Sequence, residues 1–209
     1  MKKSFKTISK PSSTKYIEKK SVFIAHSFHV TSEAEALQHI AECKKTFWDA
    51  THNVYAYYIC GESMQPAQKY SDDGEPSGTA GMPVLEAIRR LDLEDVLIVV
   101  TRYFGGVQLG APGLVRAYGK AASLALAESQ IIEKTFCNQL RISLTYSLFE
   151  KLQKILEKTS AKQVCVDYSE DVLLTLNIPI DDLDLVISSI IELSNGQVKI
   201  EQIKGTFLY

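Results

Sequence analysis

Apolar and polar residues change their spacing several times along the chain, and each change predicts an element. From Lys15 to Val30, Tyr16, Val22, Phe23, Ile24 and Phe28 are β-branched or aromatic, so extended structure is expected. Ser32 then suits a helix N-cap. Glu33 and Glu35 fall in the first turn, and Ala36, Leu37, Ile40 and Phe47 form an apolar stripe at helical spacing. Asn53 to Cys60 reads as a strand. Gln65 to Gly81 has no periodicity and is dense in Gly, Pro, Ser and Asp, which predicts a long loop. Pro83 fits the first position of a helix carrying Val84, Ile88 and Leu91 on one side. Val96 to Val100 is a short continuous apolar run, as in a strand buried on both faces. A second Gly-rich loop, Tyr103 to Gly113, leads into a helix from about Pro112 to Gln130. Its apolar stripe is Leu114, Tyr118, Ala121 and Ala125, and another stripe of the same helix carries Arg116, Lys120 and Ser123.

After Glu133 the texture changes. The expected order becomes strand (Asn138 to Tyr146), helix (Leu148 to Lys158), strand (Lys162 to Asp167), strand (Val172 to Pro179), helix (Asp181 to Leu193) and strand (Gln197 to Phe207). Asp181 is a candidate N-cap, and Asn195-Gly196 a helix stop. This β-α-β-β-α-β order is ferredoxin-like. The fold class is therefore α+β in two domains, residues 1–134 and 135–209. No Gly/Ser-rich linker lies between them.

Composition narrows the class further. Of 209 residues, 45% are hydrophobic and 23% charged, a globular balance that excludes disordered, collagenous and coiled-coil chains. No apolar run approaches the ~18 residues of a membrane span, so no membrane partner is expected. Met1 to Lys20 lacks the apolar stretch of a secretory signal, which makes a cytoplasmic location the expectation. Cys43, Cys60, Cys137 and Cys165 are scattered, with no close ligand pair for a structural zinc, so neither a metal nor another cofactor is expected. The formal net charge is −2, which argues against a dedicated nucleic-acid binder with a strongly basic domain. The charge is uneven, however. Met1 to Lys20 holds seven lysines against one acid, Glu18, and reads as a solvated arm or a Lys-protected edge strand, with a nucleic-acid-binding arm as the alternative.

Two loops carry the candidate chemistry. Ser71 to Pro83 (S-D-D-G-E-P-S-G-T-A-G-M-P) contains Asp72, Asp73, Glu75 and Thr79, with His52 ahead of the preceding strand. Carboxylates this close repel, which recruits a cation or raises a pKa; equally, Asp residues cap turns and pair with arginine. Thr101 to Lys120 contains Arg102, Tyr103, Gly105, Gly106, Gly110, Gly113, Arg116 and Lys120. Read as an anion site, a helix start near Pro112 and Gly113 would share a phosphate or RNA backbone with Arg102, Arg116 and Lys120. Read structurally, the glycines let strand and helix pack closely, and Arg102 pairs with an acid such as Asp72 or Asp73. Gly105-x-x-x-x-Gly110 is followed by Ala111-Pro112 where a P-loop requires Lys and Ser or Thr, which excludes Walker-type chemistry. His52 has no Ser or Cys partner at the spacing of a nucleophilic triad, so its catalytic role is unassigned.

T-H-N-V-Y-A-Y (Thr51 to Tyr57), K-Y-S-D-D-G-E-P-S-G-T-A-G-M-P (Lys69 to Pro83), V-V-T-R-Y-F-G-G-V-Q-L-G (Val99 to Gly110) and G-L-V-R-A-Y-G (Gly113 to Gly119) closely resemble the signature of the IMPACT/YigZ family. The resemblance covers nearly the whole chain. It implies an N-terminal α+β domain similar to the second domain of a small-subunit ribosomal protein. It also implies a C-terminal domain similar to the last domain of elongation factor G. Both of those relatives touch RNA, and the eukaryotic family member regulates translation through a protein partner. No catalytic residues carry over. Ala111-Pro112 departs from the family's usual small residue followed by Gly. What the resemblance implies is a translation-associated protein contacting RNA, the ribosome or a ribosome-bound protein through the Gly-rich loops. The alternatives are an enzyme acting on a phosphorylated small molecule or nucleotide, and a pure protein-interaction module.

Overall fold

The structure, a computed structural model, describes residues 2–60 and 66–209. The chain divides into two compact units, Phe5–Glu133 and Lys134–Tyr209 with Met1–Ser4. Its elements run β1 (Ser4–Ile8), β2 (Ser12–Glu18), β3 (Ser21–His29), α1 (Glu33–Thr46), β4 (His52–Ile59), β5 (Ala67–Ser71), α2 (Gly81–Arg90), β6 (Val96–Tyr103), α3 (Gly110–Glu128), β7 (Ile131–Leu144), α4 (Tyr146–Leu156), β8 (Lys162–Tyr168), β9 (Val172–Pro179), α5 (Leu183–Ser194) and β10 (Ile200–Leu208).

In the first unit an antiparallel sheet of order β2-β3-β6-β4-β5 separates two helical layers. Side chains alternate across the pleat. Val54, Ala56, Ile98 and Val100 face the core shared with α2 and α3, while Tyr57, Ile59, Leu97 and Val99 face α1. This explains the continuous apolar run of β6, the central strand, whose Val96 to Val100 are all 0% exposed. Lys15 and the other residues of β2 lie on the sheet's edge, where lysine discourages pairing with another chain. The β2–β3 hairpin turns on Lys19 and Lys20, both left-handed at φ 44° and 69°. That is the type I′ geometry, which matches strand twist but favours Asn and Gly.

In the second unit β7, β8, β9 and β10 form the order β10-β7-β9-β8, the ferredoxin-like arrangement. Leu140, Ile142, Leu174 and Leu176 pack against Phe149 and Leu152 of α4 and Val186 and Ile190 of α5.

Several expectations need correction. The stretch expected to be one loop contains β5, held by its pairing with β4 (Tyr55↔Ser71 through Ile59↔Ala67); Gln65 lies outside the described residues. Weak local patterning is overridden there by a tertiary ladder. Pro83 and Pro112 are the third residues of their helices, not the first, which is tolerated because the first four helical N–H groups have no intrahelical partner anyway. Leu37 is exposed, and Ala36, Ile40 and Cys43 form the buried face of α1. Asp182, not Asp181, precedes α5 and makes no side-chain cap; Asp181 pairs with Lys3.

Candidate functional site

The two loops singled out in the sequence meet in the first unit, but they sort their charges into two different arrangements. The first is buried. Arg102, on β6, donates from Nη1 to Glu75 Oε1 at 2.5 Å, and the two side chains are only 6% and 4% exposed. The same Oε1 accepts the Tyr118 hydroxyl of α3 at 2.7 Å. The Arg102 guanidinium lies 5.6 Å from the ring centroids of both Phe23 and Phe104, and its Nη2 reaches Ser21 Oγ at 3.4 Å. Its Nε is buried and has no hydrogen-bond partner among the described residues. Burial, and then the charge of Glu75, pushes the Tyr118 phenol well above its usual range. Tyr118 therefore serves as a neutral donor.

The neighbouring carboxylates are spread over separate tasks. Asp72 accepts the backbone N–H groups of Gly78, Ala80 and Gly81 at 2.9, 3.0 and 2.8 Å, which caps the start of α2 in place of an N-cap side chain. Asp73 accepts Asn53 N at 2.6 Å and pairs with Lys44 at 2.6 Å. Its carbonyl meets His52 Nδ1 at 2.8 Å, while His52 Nε2 stands 3.8 Å from Glu75 Oε1. Thr79 donates to the Pro76 carbonyl at 2.6 Å and finishes the turn. Among the described residues no group of three or more His, Cys, Asp or Glu is placed to hold a metal ion.

Gly105 shows why the second loop is glycine-rich. A Cβ there would fall 2.1 Å from the Lys20 carbonyl carbon, so the β6–α3 loop can lie against the β2–β3 turn only without a side chain. Ser21 Oγ accepts Gly105 N at 3.2 Å and fixes that contact. Gly106 and Gly110 take φ of 79° and 69°, and Gly113 is buried at the start of α3. Tyr103 is not among the residues that line the groove described next and donates to Asp49 at 2.9 Å.

The second arrangement is a groove of about 730 Å³ bounded by the β2–β3 turn, α2 and α3. Arg116 and Lys120, one turn apart on α3, line it together with Arg90 at the end of α2 and Lys19 of the turn. Among the described residues none of these four cations has an ion pair or a hydrogen bond. Two acids share the groove, and both are occupied: Glu86 pairs with Arg89, and Glu18 accepts Tyr16 OH. Met82 and Leu109 give it apolar walls, while Gly113, Ala117 and Gly119 keep the α3 face shallow.

The expected cluster of Arg102, Arg116 and Lys120 thus separates. Arg102 lies inside, neutralised by Glu75 and not by Asp72 or Asp73; Arg116 and Lys120 remain free and gain Arg90 and Lys19. Sequence reasoning placed Tyr118 on an apolar stripe and missed its bond to Glu75. The available signal was that a buried tyrosine hydroxyl needs a partner. Nothing in local spacing linked Arg90 or Lys19 to Arg116, because they meet only through the packing of α2 and the hairpin on α3.

Comparison with known proteins is consistent along the whole chain. Residues 19–126 match the Impact N-terminal domain, and residues 142–197 match a domain of unknown function, DUF1949. The IMPACT family member YvyE of Bacillus subtilis (strain 168) is 38% identical over 98% of this chain and 94% of its own length. The IMPACT family member YigZ of Escherichia coli (strain K12) is 29% identical, covering 87% of this chain and 89% of that one. A solved structure described as a hypothetical protein shares 28% identity and a TM-score of 0.62, covering 98% of this chain and 99% of the other.

Proposed function

This chain belongs to the IMPACT family, and we propose that it is a translation-associated regulatory protein that binds RNA, free or within the ribosome, through the basic groove of its first unit. The tie to translation comes from the family resemblance. The observation that carries the RNA contact is the set of free cations, Lys19, Arg90, Arg116 and Lys120, lining one groove while the other arginines and acids of the two loops are already paired. A chain of net charge −2 does not attract phosphate over its whole surface, so its contact must be local. The groove supplies that local field, and its apolar walls give a ribose or base something to pack against. The buried network has a different role. One oxygen of Glu75 accepts from both Arg102 and Tyr118 and so ties the two loops together.

The test is RNA binding measured across a salt series. Each phosphate neutralised on a single strand contributes about −0.7 to the slope of log K against log salt. Replacing Arg116 and Lys120 by alanine is expected to weaken binding at low salt and to reduce the slope by about one unit or more. An unchanged affinity and slope in that double variant would place the RNA contact elsewhere.

A further inference from the structure

The second unit carries a feature that owes nothing to the groove. Its strand β8 ends the order β10-β7-β9-β8 and, among the described residues, pairs only with β9, so its other side is an open edge. Such edges are normally blunted by lysine, proline or a bulge. In β8 these devices are confined to the start. Lys162 opens the strand, and the register breaks between Gln163 and Cys165, which makes Val164 the extra residue of a bulge. From Cys165↔Thr175 to Tyr168↔Val172 the ladder is regular, and that stretch holds neither lysine nor proline. The strand is nonetheless apolar where it is exposed. Val164 is 52% and Tyr168 63% exposed, and of the seven residues only Val166 is half-buried. Tyr168 is also held in place. Its ring stacks on Tyr146 at 6.2 Å and lies T-shaped to Phe149 at 6.1 Å, and Tyr146 OH donates to the Ser169 carbonyl at 2.8 Å. Val166 and Tyr168, opposite the buried Leu174 and Val172, share the helix-covered face of the sheet. Cys165 and Asp167, with Sγ and Oδ2 3.6 Å apart, share the other face.

We propose that β8 pairs antiparallel with β8 of a second copy of this chain, about a two-fold axis at Val166, and joins two second units into one continuous sheet. A second copy is selected over another partner because the strand is its own complement in that register. Val166 meets the partner's Val166. Val164 lies opposite the partner's Tyr168, a β-branched and aromatic pair of the kind that stabilises sheets. Lys162 lies opposite the partner's Glu170, so unlike charges meet, and the two-fold makes each of these contacts twice. Within one chain Lys162 and Glu170 are exposed and, among the described residues, form no ion pair. Moving the axis to Asp167 would set two carboxylates against each other, which disfavours that register.

The test is sedimentation of the full chain over a concentration series in the presence of a reductant. The mass should rise from that of one chain toward twice that value. Val164→Glu alters an exposed position and sets a further acid beside the partner's Tyr168 and Asp167. It should keep the chain single at concentrations where the unaltered chain is paired, with an unchanged thermal melt. Asp167→Cys reads the register, because Cys165 lies opposite the partner's Asp167. Directly opposite residues stand about 4.5–5.5 Å apart between Cα atoms, within reach of a disulfide. A mild thiol oxidant should therefore convert that variant to a covalent dimer, and Cys165→Ser in the same background should abolish it. A chain that stays single at every concentration, with no covalent dimer of Asp167→Cys, overturns the proposal. A dimer that Val164→Glu leaves intact and Asp167→Cys fails to link overturns it as well, since the copies then meet elsewhere. Neither result touches the groove reading.

Discussion

Removal of the Glu75 carboxylate tests the buried network most sharply. In Glu75→Ala the Arg102 charge stays in a site where its side chain is 6% exposed, with the buried Nε already unpartnered. Ser21 Oγ, at 3.4 Å, is too distant to replace a carboxylate, and the faces of Phe23 and Phe104 are present in both proteins and so offset nothing. Breaking a buried pair by deleting one partner costs about 3–5 kcal/mol, a large share of a typical total of about 5–15 kcal/mol. Tyr118 also loses its acceptor, which adds about 1 kcal/mol or more for a buried hydroxyl left unsatisfied. Glu75→Gln keeps an oxygen for both donors and should cost roughly 1–3 kcal/mol, the difference being the lost charge assistance. Arg102→Met combined with Glu75→Ala should be less destabilised than Glu75→Ala alone, since no orphaned charge remains. Because the chain has two units, the readout is urea-dependent hydrogen exchange at the β3 and β6 amides, which isolates the unit concerned. A cost for Glu75→Ala below about 1 kcal/mol, or strict additivity in the double variant, would refute the account of this pair as the clamp between the two loops.

The other predictions concern alkaline pH and the loop contact. The Tyr118 phenol titrates higher in the folded chain than its ordinary value of 10.0, so the folded state keeps a proton that the unfolded state releases. Its contribution is complete below about pH 10 and is lost as pH rises above that value, and Tyr118→Phe should flatten that alkaline fall in a stability-against-pH series. Gly105→Ala forces a Cβ to within 2.1 Å of backbone and should cost several kcal/mol in a thermal or urea melt, whereas Gly106→Ala, with open space but φ at 79°, should cost about 1 kcal/mol. Equal costs at the two positions would mean that the loop does not rest on the hairpin turn.

Much of this architecture was readable from local pattern, and what was not has a definite physical origin. The run Val96 to Val100 declared a central strand because both of its faces are buried. The strand expected over Val172 to Pro179 coincides with β9. Gly-rich density correctly marked the two loops that meet. What the sequence could not convey was pairing between distant residues. Ala67–Ser71 has no strand pattern of its own and extends only because β4 offers it a ladder. Arg102 and Arg116 look equivalent in sequence, fourteen positions apart in one motif. One sits on a strand whose side chain enters the interior, and the other on the exposed face of a helix. Their roles diverge on that geometry alone.

That divergence bears on how an acidic chain holds a phosphate. Several charges of the first unit are neutralised on the spot: Arg102 by Glu75 in the interior, and Lys44 by Asp73 and Arg89 by Glu86 at the surface. Their Coulomb energy is already spent within the fold and adds little to the field outside. Lys19, Arg90, Arg116 and Lys120 line one groove with only two acids, Glu18 and Glu86, so the net charge of −2 conceals a local excess of positive charge there. The turn itself shows the same division between fold and surface. Lys19 and Lys20 occupy left-handed backbone that would suit Asn-Gly, at a cost of about 1 kcal/mol each. Nothing in the packing of the first unit calls for lysine there, since both side chains are exposed and neither forms an ion pair among the described residues. A residue pair that strains the backbone and leaves the core untouched makes physical sense as charge presented to a ligand, at the edge of the groove that Lys19 lines.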